Sequence, residues 1–201
     1  MKKSIVVLVL ICSAFLVFFS IFPTRSESAE IDSQVDRSPF YVSPSLIGYF
    51  PTSGKTKCAF GDSWWGVGVT INPQAFGIDN VLEEFGNAEL YPFLAYYHGE
   101  KGNNEAHIIP LGVDARWRLF RDRSDDFRPY AGIGAFIAGV KFNICPLNYD
   151  CGWKGTFGGR AFIGFDLSSW FNLQASYNWM SDVGGFDFSG FEIRGTFNFY
   201  M

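Results

Sequence analysis

Charge runs, histidines and long apolar segments are all scarce in this chain. Its formal charge is -4 over 201 residues, with no run of Lys and Arg, which leaves no electrostatic footprint for nucleic acid. Histidine occurs only as His98 and His107, flanking the polar segment GEKGNN. A metal centre there would need further ligands, and Glu100 and Glu105 are the only acidic residues nearby. The two rings are therefore expected as solvated rim residues, and the sequence is read as having no metal site, no cofactor and no catalytic residue. Beyond Phe22 no stretch approaches the roughly 18 apolar residues of a membrane-spanning helix. If the exported chain resides in a membrane, it is not there as a helix.

The amino terminus does carry an apolar run. Met1-Lys2-Lys3 precedes Ile5 to Phe22, and polar PTRSESAE follows, the order of a secretory signal. Residues 1–28 are read as that signal, with cutting after Ser28 or Ala29, and 29–38 as a polar leader. The run exceeds the roughly 7–15 residues of an ordinary signal core, so an uncleaved anchor is the alternative. Cys58, Cys145 and Cys151 remain after processing, an odd number. Cys145 and Cys151 bracket PLNYD in one loop and are the expected bridge in an oxidising envelope. Cys58, in a different loop, stays an alternative partner for either.

What is abundant is Phe, at 23 residues, and Gly, at 22, a pairing suited to closely packed strands. Eight candidate strands are expected at about 39–50, 63–72, 88–98, 106–120, 127–142, 154–167, 170–181 and 188–200. Alternation with a period of two carries them. In the fourth, Ile109, Leu111, Val113, Ala115, Trp117 and Leu119 oppose Pro110, Gly112, Asp114, Arg116 and Arg118. In the sixth, Phe157, Gly159, Ala161, Ile163, Phe165 and Leu167 oppose positions that include Arg160 and Asp166. In the last, Phe191, Ile193, Gly195, Phe197 and Phe199 oppose Glu192, Arg194, Thr196 and Asn198. The first and third strands are ambiguous, with a proline and apolar residues on both faces. Loops are expected near 51–62, 99–105, 143–153 and 182–187, a tight turn at Ser168-Ser169, and a short helix at about Ile78 to Phe85.

The apolar faces can look at a protein core or at lipid. Turned inward, they describe a soluble lipocalin-like carrier of a hydrophobic ligand. Eight strands, however, enclose an interior barely wide enough for side chains. Trp65, Trp117, Trp179, Phe171, Phe191, Phe197 and Phe199 would all compete for it. Turned outward, they form a lipid-facing band with aromatic girdles, and a closed barrel satisfies every backbone group in hydrocarbon. The second reading is adopted: all-β, an eight-stranded antiparallel up-and-down transmembrane β-barrel over 39–201, in the cell outer membrane and surrounded by its lipid. Both termini are expected on the periplasmic side.

The segment IIPLGVDARWRLFRDRSDDFRPYAGIGAFIAGV resembles the middle of the OmpA-like outer-membrane β-barrel superfamily, through its Pro-Tyr-x-Gly-x-Gly strand at Pro129, Tyr130, Gly132 and Gly134. The carboxyl end, GFEIRGTFNFYM, resembles the terminal strand by which such barrels are recognised for assembly, but ends in Met201 where Phe is usual. The resemblance implies the barrel-assembly machinery as a partner, and an architecture more than an activity. Outer-membrane lipid A deacylases share this barrel size and use a His-x-Ser pair on an outward face. Here His98 is followed by Gly-Glu, His107 by Ile-Ile, and no His lies two residues before Ser176. The nucleophile and base of acyl transfer are not visible, although a lipid-modifying enzyme stays the alternative.

The residues singled out are the charges of inward parity: Asp114, Arg116, Arg118, Arg128, Arg160, Asp166, Glu192 and Arg194. Buried charges must pair. The set is expected to plug the lumen by salt bridges, the sharper alternative being a gated ion path. The function expected is structural or surface-interacting, through extracellular loops whose partner no motif identifies.

Overall fold

The computed structural model describes residues 41–71, 88–119, 128–144 and 149–200. The elements are β1 (Tyr41–Pro51), α1 (Gly54–Phe60), β2 (Trp64–Ile71), β3 (Glu89–Lys101), β4 (Asn104–Arg118), β5 (Arg128–Ile144), β6 (Tyr149–Ser168), β7 (Phe171–Met180), β8 (Gly190–Phe197) and a final β9 (Phe199–Tyr200) that continues β8. Each strand pairs antiparallel with the next, and β1 pairs with both β2 and β8. The sheet therefore closes on itself as an eight-stranded up-and-down barrel, which leaves no open edge.

The strand faces follow the alternation in the sequence. Leu46, Ile133, Ile137, Phe157, Ile163 and Ile193 are each more than half exposed on the outside. Between them, Asp114, Arg160, Glu192 and Arg194 are buried on the inside. A soluble carrier requires the reverse distribution, so the inward-apolar alternative does not describe this molecule. No helix among the described residues is long and apolar enough to cross a membrane.

Two ends can be distinguished. The loop end carries the connections after β1, β3, β5 and β7. The terminus end carries those after β2, β4 and β6, together with the start of β1 and the end of β9. At the loop end the strands run further than the sequence suggested. The expected loop at 99–105 is a two-residue turn, Gly102-Asn103, because Gly99↔Ala106 and Glu100↔Glu105 remain in register. Gly102 has φ +63°, the left-handed backbone that such hairpin turns use. Likewise β6 begins at Tyr149, inside the loop expected at 143–153. At the other end the β6–β7 turn is Ser169-Trp170, one residue later than expected, after a register shift between Asp166 and Ser168.

The connection expected at 51–62 holds α1, which the sequence reading missed. Its seven residues bury only Thr56 and Phe60, too few to show a helical period. The helix expected at Ile78 to Phe85 lies outside the described residues, as do the leader, the signal segment and the Cys145–Cys151 bridge. Cys58, on α1, is a free and exposed thiol.

Candidate functional site

The lumen is the place where side-chain chemistry converges, and it has three layers. At the loop end it is filled by rings. Phe60 of α1 meets Phe142, Phe186 and Phe188 with ring centroids 5.7, 5.3 and 6.0 Å away. Tyr49 stacks on Tyr97 at 4.9 Å and faces Trp64 at 5.8 Å. All of these side chains are buried. Helix α1 is strapped across this plug: the Thr56 hydroxyl donates to the carbonyl of Asp187 (2.5 Å), and Lys55 Nζ donates to that of Gly185 (2.7 Å). The Asn104 amide donates to the carbonyl of Ala59 (3.0 Å). The far side of the strap turns back on itself through Gly184 and Gly185, with φ +61° and +78°, between paired Val183 and Phe186.

The middle layer is charged. Arg160 Nε donates to Asp114 Oδ1 at 2.6 Å, and a second guanidinium nitrogen of Arg160 reaches Asp114 Oδ2. A third lies 3.7 Å from Glu192 Oε1. Glu192 also accepts from Arg194 Nε (2.8 Å), the Tyr97 hydroxyl (2.6 Å) and the Asn178 amide (3.0 Å). Two guanidinium groups thus face two carboxylates, in the interleaved order that low dielectric demands. The Arg160 guanidinium also lies 3.7 Å from the centroid of the Phe93 ring, on the border of the aromatic layer. Gly134 makes room for the pair, since a Cβ there would collide with Asp114 and press on Arg160.

The third layer, toward the terminus end, is less filled among the described residues. It is a cavity of about 200 Å³ whose wall includes Arg116, Arg118, Arg128, Asp166, Gln174 and Arg194. Arg116 lies 3.9 Å from Asp166 and 3.9 Å from the Tyr130 ring centroid. Arg118 pairs with Glu89 at 3.1 Å, and Arg128 is exposed.

The structure divides the eight charges singled out in the sequence. Asp114, Arg160, Glu192 and Arg194 form one network, whereas Arg116, Arg118, Arg128 and Asp166 line the cavity, whose wall Asp114 and Arg194 also reach. Tyr97, Asn178, Gln174 and Glu89 were missed. Tyr97 sits in the ambiguous third strand, and its role shows only through the pairing Tyr97↔Gly66 and Tyr97↔Ile108, which sets the inward face.

His98 and His107 lie on the two strands that flank the Gly102-Asn103 turn. They are directly opposite each other in β3 and β4, stacked at 4.9 Å on the outer face, with Trp65 and Tyr96 alongside. The Tyr96 hydroxyl and His107 Nδ1 are 2.8 Å apart. Among the described residues no group of three or more His, Cys, Asp or Glu is placed to hold a metal ion.

Outside, aromatic residues mark both ends of the apolar band. Trp65 and Trp179 lie toward the loop end, and Trp170 and Phe171 pack with Phe197 at the other, at 6.4 and 5.2 Å. With this band and the filled lumen in view, the comparison with solved structures is decisive for architecture. Neisserial surface protein A superposes with a TM-score of 0.51 at 12% identity, covering 82% of this chain and 98% of that one. The outer membrane enzyme PagL superposes with 0.52 at 11%, covering 79% and 99%. The fold is that of the small outer-membrane β-barrels. At such identities the likeness speaks of fold alone, since one of the two proteins is an enzyme and shares the barrel. No protein-family model and no curated protein matches the chain by sequence.

Proposed function

We propose that the protein is a non-enzymatic integral outer-membrane barrel, with its loop end facing the cell exterior and acting as a structural or surface-interaction platform. The observation that carries this reading is the occupied loop end. Among the described residues the Phe60–Phe142–Phe188 plug and the strapped helix α1 occupy the mouth, which supports a reading without a solute path or substrate cleft on that side. The exterior supplies the other half: isoleucine, leucine and phenylalanine cover the wall, where water would disfavour them and lipid would not. The signal-like segment 1–28 agrees with export, and the barrel-assembly machinery is the expected partner in insertion.

Orientation is testable through Cys58, which is exposed on α1. A membrane-impermeant maleimide added to intact cells should label the peptide that contains Cys58. Labelling only after the envelope is opened would reverse the orientation. Catalysis is tested separately, by mass analysis of lipid A from cells with and without the protein. The two profiles should coincide; a lost or moved acyl chain would replace this reading with that of a lipid-modifying enzyme.

A further inference from the structure

We propose that the cavity at the terminus end is a binding site for one phosphate-class oxyanion. The first observation is the sign of its unsatisfied groups. Arg194 and Gln174 are 2% and 4% exposed, yet Arg194 Nη2 and Gln174 Nε2 have no hydrogen-bond partner, and both residues line the cavity. Ser168 Oγ, on the same wall, is likewise buried without a partner. Two of these atoms are obligate donors and the third is a hydroxyl able to donate; none is a carboxylate oxygen. The ligand that satisfies them is an acceptor. Gln174 is turned for this role, because its Oε1 faces the Tyr130 hydroxyl at 3.4 Å and leaves its NH₂ for the cavity.

The second observation is charge. Arg116, Arg118, Arg128 and Arg194 line the wall against Asp114 and Asp166. Asp114 is engaged by Arg160, Glu89 engages Arg118, and Glu192 engages Arg194 through Nε. Asp166 faces Arg116, at 3.9 Å, and is the cross-strand neighbour of Arg128. Among the described residues the five guanidinium groups at and beside the wall outnumber the four carboxylates by one. Bridging water would satisfy donors but would not offset that charge. A tetrahedral oxyanion does both, through the planar donor fork that guanidinium presents. Arg116 is held for such contact by the rings of Tyr91 and Tyr130, 4.3 and 3.9 Å from its guanidinium carbon.

The third observation is space. A volume of about 200 Å³ exceeds many times over the roughly 10–15 Å³ that lodges one water. The aromatic plug closes the far side, so the site is a blind vestibule and not a conduit. It is independent of the surface role proposed above, and either reading can fail without the other.

The test uses the folded full chain in phosphate-free nonionic micelles, titrated with inorganic phosphate and, separately, with chloride at matched ionic strength. Nitrogen-resolved NMR follows the Gln174 side-chain amide and the Nε of Arg194. Saturable shifts with phosphate but not with chloride are expected. Arg128→Gln, at an exposed position that leaves the fold intact, should weaken phosphate binding about tenfold. Shifts that chloride reproduces, or that never saturate, would reduce the effect to ionic screening and overturn the proposal. So would an Arg128→Gln protein that binds phosphate as tightly as the parent.

Discussion

At the loop end the lumen holds Phe60, Phe142 and Phe188, with centroids 5.7 to 6.0 Å apart. At the terminus end the same barrel, with the same eight strands, holds Arg116, Asp166 and Gln174 around a cavity of about 200 Å³. Between them lies the Asp114–Arg160–Glu192–Arg194 network. The difference teaches that barrel size alone does not decide how an interior is filled. Rings fill it by packing; guanidinium groups leave a cavity and depend on pairing. The two halves should therefore break in different ways.

The largest effect is expected at the boundary. Glu192→Leu removes the carboxylate that serves Arg160, Arg194, Tyr97 and Asn178 together. Two buried guanidinium groups then lose a counter-charge, and the loss should reach the upper end of the roughly 3–5 kcal/mol seen when buried pairs are broken. Urea titration of the bilayer-folded protein measures it. Next comes the plug: Phe142→Ala leaves a void among rings, toward the lower end of roughly 3–5 kcal/mol. It should also admit ions, so planar-bilayer recordings should show conductance in Phe142→Ala and none in the parent. Equal silence in both would mean that the charged layer, not the plug, seals the lumen.

The exterior is the control for both halves. Ile163 is 59% exposed on the outer wall, and Ile163→Arg should cost roughly 2–4 kcal/mol near the midplane in a bilayer. The smallest effect belongs to the terminus end. Arg128 is exposed, and Arg128→Gln should change folding stability by less than about 1 kcal/mol, in contrast to its effect on phosphate. A large loss of stability there would show that the terminus end is as tightly built as the plug.

The contrast between the halves also explains what could be read from sequence. In β8 the inward Glu192, Arg194 and Thr196 alternate with outward Phe191, Ile193 and Phe197, so parity is legible there. In β4 and β6, by contrast, the charged positions share the inward face with buried Ala106, Ile108 and Phe162. In β3 the inward Tyr91, Phe93 and Tyr97 alternate with outward Leu90, Leu94 and Tyr96. Rings inside and rings outside erase the period, and the aromatic plug was consequently invisible. Its glycine partners carried part of the signal: a Cβ at Gly66 would collide with Tyr97, and one at Gly158 with Phe136. These glycines make space for rings. Helix α1 escaped for another reason, since its fixation comes from Asp187 and Gly185, some 130 residues away in sequence. The division of the charges into a network and a cavity wall depends on depth along the barrel, which parity does not encode.

The central claim is that the molecule is built inside out, with charge in the lumen and apolar side chains against lipid. It is tested most directly by asking what solvent the purified chain needs in order to fold. The account predicts no β-rich monomer in plain buffer, and a β-rich species with heat-modifiable gel mobility once detergent micelles or bilayers are supplied. A stable, β-rich monomer in plain buffer would contradict it.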